Sequence, residues 1–261
     1  VIFEKVLIVL VDTARNHSSN FIDATDSAEV KQKLIELLFS IPQVFRPHIE
    51  ECLISLAPSA PVEFSGIFQT IFETVNPESS IDDIYTAISF ANKWTSNSKT
   101  APFFQQNFIE IIFPYLQACT AEKEMTEVKA NTISELAELA ETLISKGNII
   151  FNSSFDSAIQ ILCHLITQQL ETKSGLKMKS SIFKLLFQII YSVYERWKAI
   201  PDLNEWRQGF IENIVPGIFQ SSLQASQQKM DQNLVHNLFH LFYIFITFGI
   251  NYEQILTPEF F

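Results

Sequence analysis

The chain has 261 residues, 47% hydrophobic and 18% charged, with 24 phenylalanines but only 10 prolines and 6 glycines. The apolar share suits a folded core and excludes a largely disordered chain, and so few Gly and Pro exclude the turn-dense texture of a sandwich or barrel. A net charge of −11 opposes sequence-independent binding to nucleic acid, which needs Lys and Arg to displace counterions from phosphates.

Helical periodicity dominates from the N-terminus onward. Helices are predicted near 1–15, 27–40, 43–57, 61–75, 79–96, 102–119, 122–146, 155–173, 177–199, 204–222 and 225–248. The first carries "VLIVLV", for which a buried strand is the alternative. Val30, Leu34, Leu37, Leu38 and Ile41 line one face of the second. Phe64, Ile67, Phe68, Ile71, Phe72 and Val75 do so between Pro61 and Asn76-Pro77. The next predicted helix opens with Asp82 and Asp83, acidic residues that favour a helix N-terminus through its dipole.

Further along, Ile133, Leu136, Ala137, Ala140, Leu143 and Ile144 form an apolar stripe beside Glu135, Glu138 and Glu141, with Glu124 and Glu127 upstream. Phe155, Ile159, Leu162, Cys163, Ile166 and Leu170 repeat the helical spacing, with Asn152, Ser153 and Ser154 as candidate caps and Gly175 beyond the end. The 177–199 helix has two stripes, Ile182, Leu186, Ile189, Ile190, Val193 and Trp197 on one side and Phe183, Phe187, Tyr191 and Tyr194 on the other. The last helix matches it, with Leu234, Leu238, Leu241, Phe242 and Phe245 against Val235, Phe239, Tyr243 and Ile246. Two stripes are what a helix needs when it touches both its own partner and the neighbouring repeat.

Helices starting near 61, 102, 155 and 204 recur at intervals of 41, 53 and 49 residues, near the roughly 40–47 of HEAT-type helix pairs. The predicted fold class is therefore all-α, a HEAT-like α-solenoid in which residues 1–261 form a single array. Because the chain opens on Val1 and stops at "TPEFF", it is expected to be a segment of a longer chain.

Charge is unevenly spread: residues 47–141 hold fourteen Asp or Glu against four Lys, whereas 170–198 hold six Lys or Arg against two Glu. Asp82, Asp83, Glu127, Glu135, Glu138 and Glu141 are the candidate acidic face for a basic protein partner, with a solvated helix surface as the alternative. Lys173, Lys177, Lys179 and Lys184 read as a basic turn between helices or as contacts for an acidic partner. Cys52, Cys119 and Cys163 are odd in number and set among apolar neighbours, as buried reduced thiols would be.

Catalytic signatures are lacking. His236 and His240 have the spacing of an HExxH zinc motif, but Asn237, Leu238 and Phe239 lie between them and the glutamate is missing. Cys163 and His164 point about 100° apart on a helix, unsuited to a nucleophile and base. No GxGxxG, GxxxxGK[ST] or GxSxG occurs. The apolar run from Leu241 to Ile250 is about half the length needed to span a bilayer. No enzyme activity, metal, cofactor or membrane span is expected.

Several segments resemble the importin-β (karyopherin-β) superfamily, in its transportin and exportin branch. They are "SIDDIYTAISFANKWTSN", "ANTISELAELAETLIS", "ILCHLITQQLETKSGLKMKSSIFKLLFQIIYSVYERW" and "WRQGFIENIVPGIFQSSL", together within residues 79–224. The resemblance implies a HEAT superhelix that carries cargo, including basic segments, between cytoplasm and nucleus, binds the GTPase Ran, and meets Phe-Gly nucleoporin repeats between outer helices. A non-transport HEAT-repeat scaffold or regulatory subunit is the alternative.

Overall fold

The computed structural model describes residues 2–21, 24–64, 66–104, 108–121, 124–146 and 153–249, and among these there is no β-strand. The helices are α1 (Ile2–Phe21), α2 (Ala24–Ser40), α3 (Arg46–Leu56), α4 (Pro61–Phe64), α5 (Ile67–Thr74), α6 (Ile81–Ser96), α7 (Phe108–Thr120), α8 (Glu127–Lys146), α9 (Ser153–Thr167), α10 (Lys173–Tyr191), α11 (Asn204–Asn213), α12 (Val215–Ser226) and α13 (Gln232–Thr247). The chain divides into two compact units, Val1–Gln106 and Asn107–Phe261. The all-α class is thus observed, and "VLIVLV" is helical.

Several boundaries differ from expectation for local reasons. The 61–75 helix is broken at Gly66, the N-cap of α5, a residue type that costs about 1 kcal/mol inside a helix. The 204–222 helix is interrupted at Ile214, where Pro216 falls in the first turn of a new helix and cannot donate back to the previous one. The 155–173 helix ends earlier, at Thr167, and Gly175, which lies beyond it, belongs to the first turn of α10 rather than to the end of α9. After Tyr191 the chain passes through a π-helical turn over Ser192–Arg196 and a 3-10 turn ending at Ala199, since Ile200 precedes Pro201 and is held extended. The last helix begins at Gln232, not 225, because Asp231 caps it. Asn152 lies outside the described residues.

In the first unit α3 packs on α1 and α2, and α6 packs on α3 and α5. Its core centres on Phe68, whose ring lies 5.5 Å from Phe90, 5.5 Å from Trp94 and 4.7 Å from Phe104. Such stacked and edge-on pairs stabilise by about 0.5–1.5 kcal/mol beyond the area they bury. A buried polar clamp sits beside it: Arg46 donates to Thr86 Oγ1 at 2.8 Å and pairs with Asp83 at 2.8 Å.

In the second unit each helix of one kind lies against the next of its kind. α7 packs on α9 and α9 on α12; α8 packs on α10 and α10 on α13; α7 and α8, α9 and α10, and α12 and α13 also touch. α8, α10 and α13 run parallel. Glu135, midway along α8, meets Lys177 near the start of α10, and Arg196, just past the end of α10, donates to the Ser145 carbonyl at the end of α8. Likewise Ser180 meets Asn237 and Tyr194 stacks on Phe248 along α10 and α13. Ile133, Leu136, Ile182, Leu186, Leu238 and Leu241 fill the seams and are buried, each such side chain stabilising by about 1.5–3 kcal/mol. The second stripe of α13 behaves differently: Phe239, Tyr243 and Ile246 are 67%, 67% and 60% exposed. Among the described residues no helix lies on that side.

Candidate functional site

An open groove of about 930 Å³ runs across α8, α10 and α13. Three local features aim its side chains. Thr172 caps α10 by accepting from the Gly175 amide at 3.1 Å, and Gly175 must lack a side chain, because a Cβ there would lie 2.8 Å from Leu170 Cβ. This start sets Lys173, Lys177 and Lys184 along one face of α10, all of them lining the groove. Asp231 caps α13 by accepting from the Leu234 amide at 2.8 Å, which fixes His236 and His240 on the groove side one turn apart.

Between the helices runs a polar seam. Ser134 and Ser181 hydroxyls meet at 2.8 Å, and Ser181 donates to Glu138 at 3.1 Å. On the other side of α10, Asn237 is buried and donates to the Ser180 hydroxyl at 2.6 Å and to the Ser180 carbonyl at 3.3 Å. Lys177 reaches Glu135 at 3.4 Å. Burial, with Glu138 beside it, raises the Glu141 carboxyl above its ordinary range, partly offset by Lys184.

The six acidic residues singled out from the sequence therefore have different surroundings. Asp82 and Asp83 belong to the first unit and the four glutamates to the second. Asp82 and Glu127 are exposed. Ser80 caps α6: its hydroxyl accepts from the Asp83 amide and donates to the Asp83 carboxylate at 2.7 Å, and that carboxylate also holds Arg46. Glu135, Glu138 and Glu141 face α10 and its lysines or serines rather than standing on a bare surface.

The basic cluster is corrected as well. It is not a turn: Lys173, Lys177, Lys179 and Lys184 all lie in α10, and Lys179 points the other way. Only 2% exposed, it donates to the Gln168 carbonyl and Gln228 Oε1, both at 2.5 Å.

His236 and His240 have ring centroids 4.2 Å apart, but among the described residues no three His, Cys, Asp or Glu are placed to hold a metal. Burial pushes the thiols up, to about 11 for Cys52 and about 12 for Cys119 and Cys163, so they stay protonated and inert at neutral pH. No described helix is long and apolar enough to cross a membrane. What the groove offers is charge and hydrogen-bond donors over an elongated, open surface, a form suited to another chain.

No family model, curated protein or solved structure matches the chain.

The sequence marked the lysines and histidines but not their convergence. Asn237 counted only as a spacer between His236 and His240, and the signal for it, Ser180 and Ser181 was polarity within otherwise apolar helix faces. Asp231, three residues before Leu234, carried a readable N-cap pattern.

Proposed function

We propose that the chain is a HEAT-like α-solenoid segment that binds other proteins, acting as part of a nuclear transport receptor that moves between cytoplasm and nucleus. The observation that carries the solenoid reading is the packing of α8, α10 and α13 as successive parallel neighbours with α7, α9 and α12 as the other row. Parallel neighbours joined through an intervening antiparallel helix are how a repeat array stacks, and such stacking leaves long helix flanks free for recognition.

The transport reading rests on the importin-β-like texture of residues 79–224. Two surface hollows agree with it. One between α7 and α9 of about 580 Å³ is lined by Met125, Ile161 and Leu165, and one between α9 and α12 of about 390 Å³ by Ile159, Ile214 and Ile218. Each mixes these apolar groups with polar ones such as Gln160 and His164, and the apolar part is what a Phe side chain of a nucleoporin repeat would enter. Immobilised GTP-loaded Ran and a Phe-Gly repeat peptide are each expected to retain the purified chain embedded in its full-length protein. Retention by neither removes the transport role and leaves a binding scaffold.

A further inference from the structure

We infer that the exposed flank of α13 is the docking seam for a further helix of the same chain, the next member of the α8–α10–α13 row, an inference that rests on the repeat-array reading above and says how the array continues. The placement follows from the two neighbours of α10. It meets α8 through Ser181, and it meets α13 through Ser180, Phe187 and Tyr194, which recur every seven residues and approach Asn237, His240 and Phe248. At about 100° per residue those three lie roughly 240° round the helix from Ser181. α13 meets α10 through Asn237, so the same rotation leads to His236 and Tyr243, again seven apart, with Phe239 and Ile246 beside them. These four positions are spaced three, four and three residues, the spacing of a helix–helix seam. Phe239, Tyr243 and Ile246 are also the side chains that stand 67%, 67% and 60% exposed.

Composition points the same way. Over its 16 residues α13 carries no Asp, Glu, Lys or Arg, whereas the end of a repeat array needs a polar outer face to stay soluble. A helix without charge on any face is suited to burial on all of them. Two sides of α13 are covered, Asn237 by Ser180 of α10 and Phe242 and Phe245 by Phe219 of α12, and the seam is the third. Area separates an attached helix from a free partner. The two rings and Ile246 offer on the order of 400 Å², against roughly 800 Å² per partner for a stable complex between separate chains. A helix of the same chain closes on so small a seam because tethering gives it an effective concentration of about a millimolar. The spacing of the row says where it lies. Between Lys146 at the end of α8 and Lys173 at the start of α10 there are 26 residues, and between Tyr191 and Gln232, the corresponding ends of α10 and α13, there are 40, which places the next member about 26–40 residues beyond Thr247. Its face toward α13 is uncharged and apolar at intervals of three and four.

The test compares the 261-residue chain with its full-length protein. Phe239→Cys and Tyr243→Cys are made in each, and the rate of alkylation by a maleimide is measured for every variant. The native thiols, raised by burial to about 11 or 12, react slowly and supply the blank. Alkylation at both positions should be at least tenfold slower in the full-length protein, while Lys99→Cys, at an exposed lysine of the first unit, should react equally fast in both. Thermal melts that match the parents show that the fold persists. A benzophenone side chain substituted for Phe239 in the full-length protein should cross-link within the same chain, to a segment about 26–40 residues beyond Thr247. Equal alkylation rates in the two proteins, slow alkylation already in the 261-residue chain, or a cross-link to a second copy, to another protein or to any residue before Gly249 would overturn the inference. Closure of a disulfide in Ser134→Cys/Ser181→Cys of the same preparation shows that the row itself stands, so such a result would then fault the docking seam alone.

Discussion

Glu141 shows how a residue's surroundings, rather than its type, decide what it does. As one of a row of glutamates it reads as a solvated or docking acid, yet α10 covers it, and burial holds its proton more tightly in the folded chain than in the unfolded one. The sign follows: between the ordinary glutamate range and the raised folded value, the folded state binds more protons, so stability falls as pH rises. Glu141→Gln removes that penalty. In urea titrations the variant should unfold at higher denaturant concentration than the parent at pH 7, and the difference should shrink as pH falls through the ordinary glutamate range. A difference that grows on acidification would mean that Glu141 is held charged instead. Asp83 makes the same point from the other side. Its place in a helix start was legible, because Ser80 precedes it by three residues, but its pairing with Arg46 was not, since nothing local to either residue encodes a contact made across the fold.

Helices were readable wherever apolar residues recur at helical spacing, and their ends were readable where a capping residue stood out. The existence of α8, α10 and α13 and the two-striped character of α10 came from periodicity alone. The breaks at Gly66 and Ile214 did not, because the apolar pattern continues across both while backbone chemistry interrupts the helix. Nor did the exposure of Phe239, Tyr243 and Ile246, which depends on what lies beside α13 and not on α13 itself. The end of α9 is another such case. Its trailing carbonyls are met from two distant elements: Gln228 donates to Thr167 O at 2.7 Å, and Lys179 of α10 donates to Gln168 O. Lys179 thereby ties α9, α10 and the turn after α12 together. Lys179→Ala should cost about 3 kcal/mol, since it strips a buried donor from two acceptors, whereas Lys177→Ala, which loses an exposed pair, should cost under about 1 kcal/mol. Guanidinium unfolding of the two variants side by side measures the contrast, and equal costs would show that Lys179 braces nothing.

The function proposed for the molecule stands on how successive helices of the second unit lie against one another. Period and helix count pointed to that arrangement from the sequence, but only contacts between residues far apart in the chain show which helices are neighbours, as in Ser134 with Ser181 and Ser180 with Asn237. Those two pairs allow the arrangement to be trapped in solution. The native thiols are raised by burial to about 11 or 12, so they compete little in mild oxidation. The most direct measurement is disulfide formation in two double variants, Ser134→Cys/Ser181→Cys and Ser180→Cys/Asn237→Cys, scored by non-reducing electrophoresis and peptide mapping. With α8, α10 and α13 parallel and adjacent, both pairs cross-link within one chain, rapidly and nearly completely. If neither closes, or if Ser134→Cys links instead to Asn237→Cys when those two are combined, the helices are ordered differently and the repeat-array reading falls with the groove it creates.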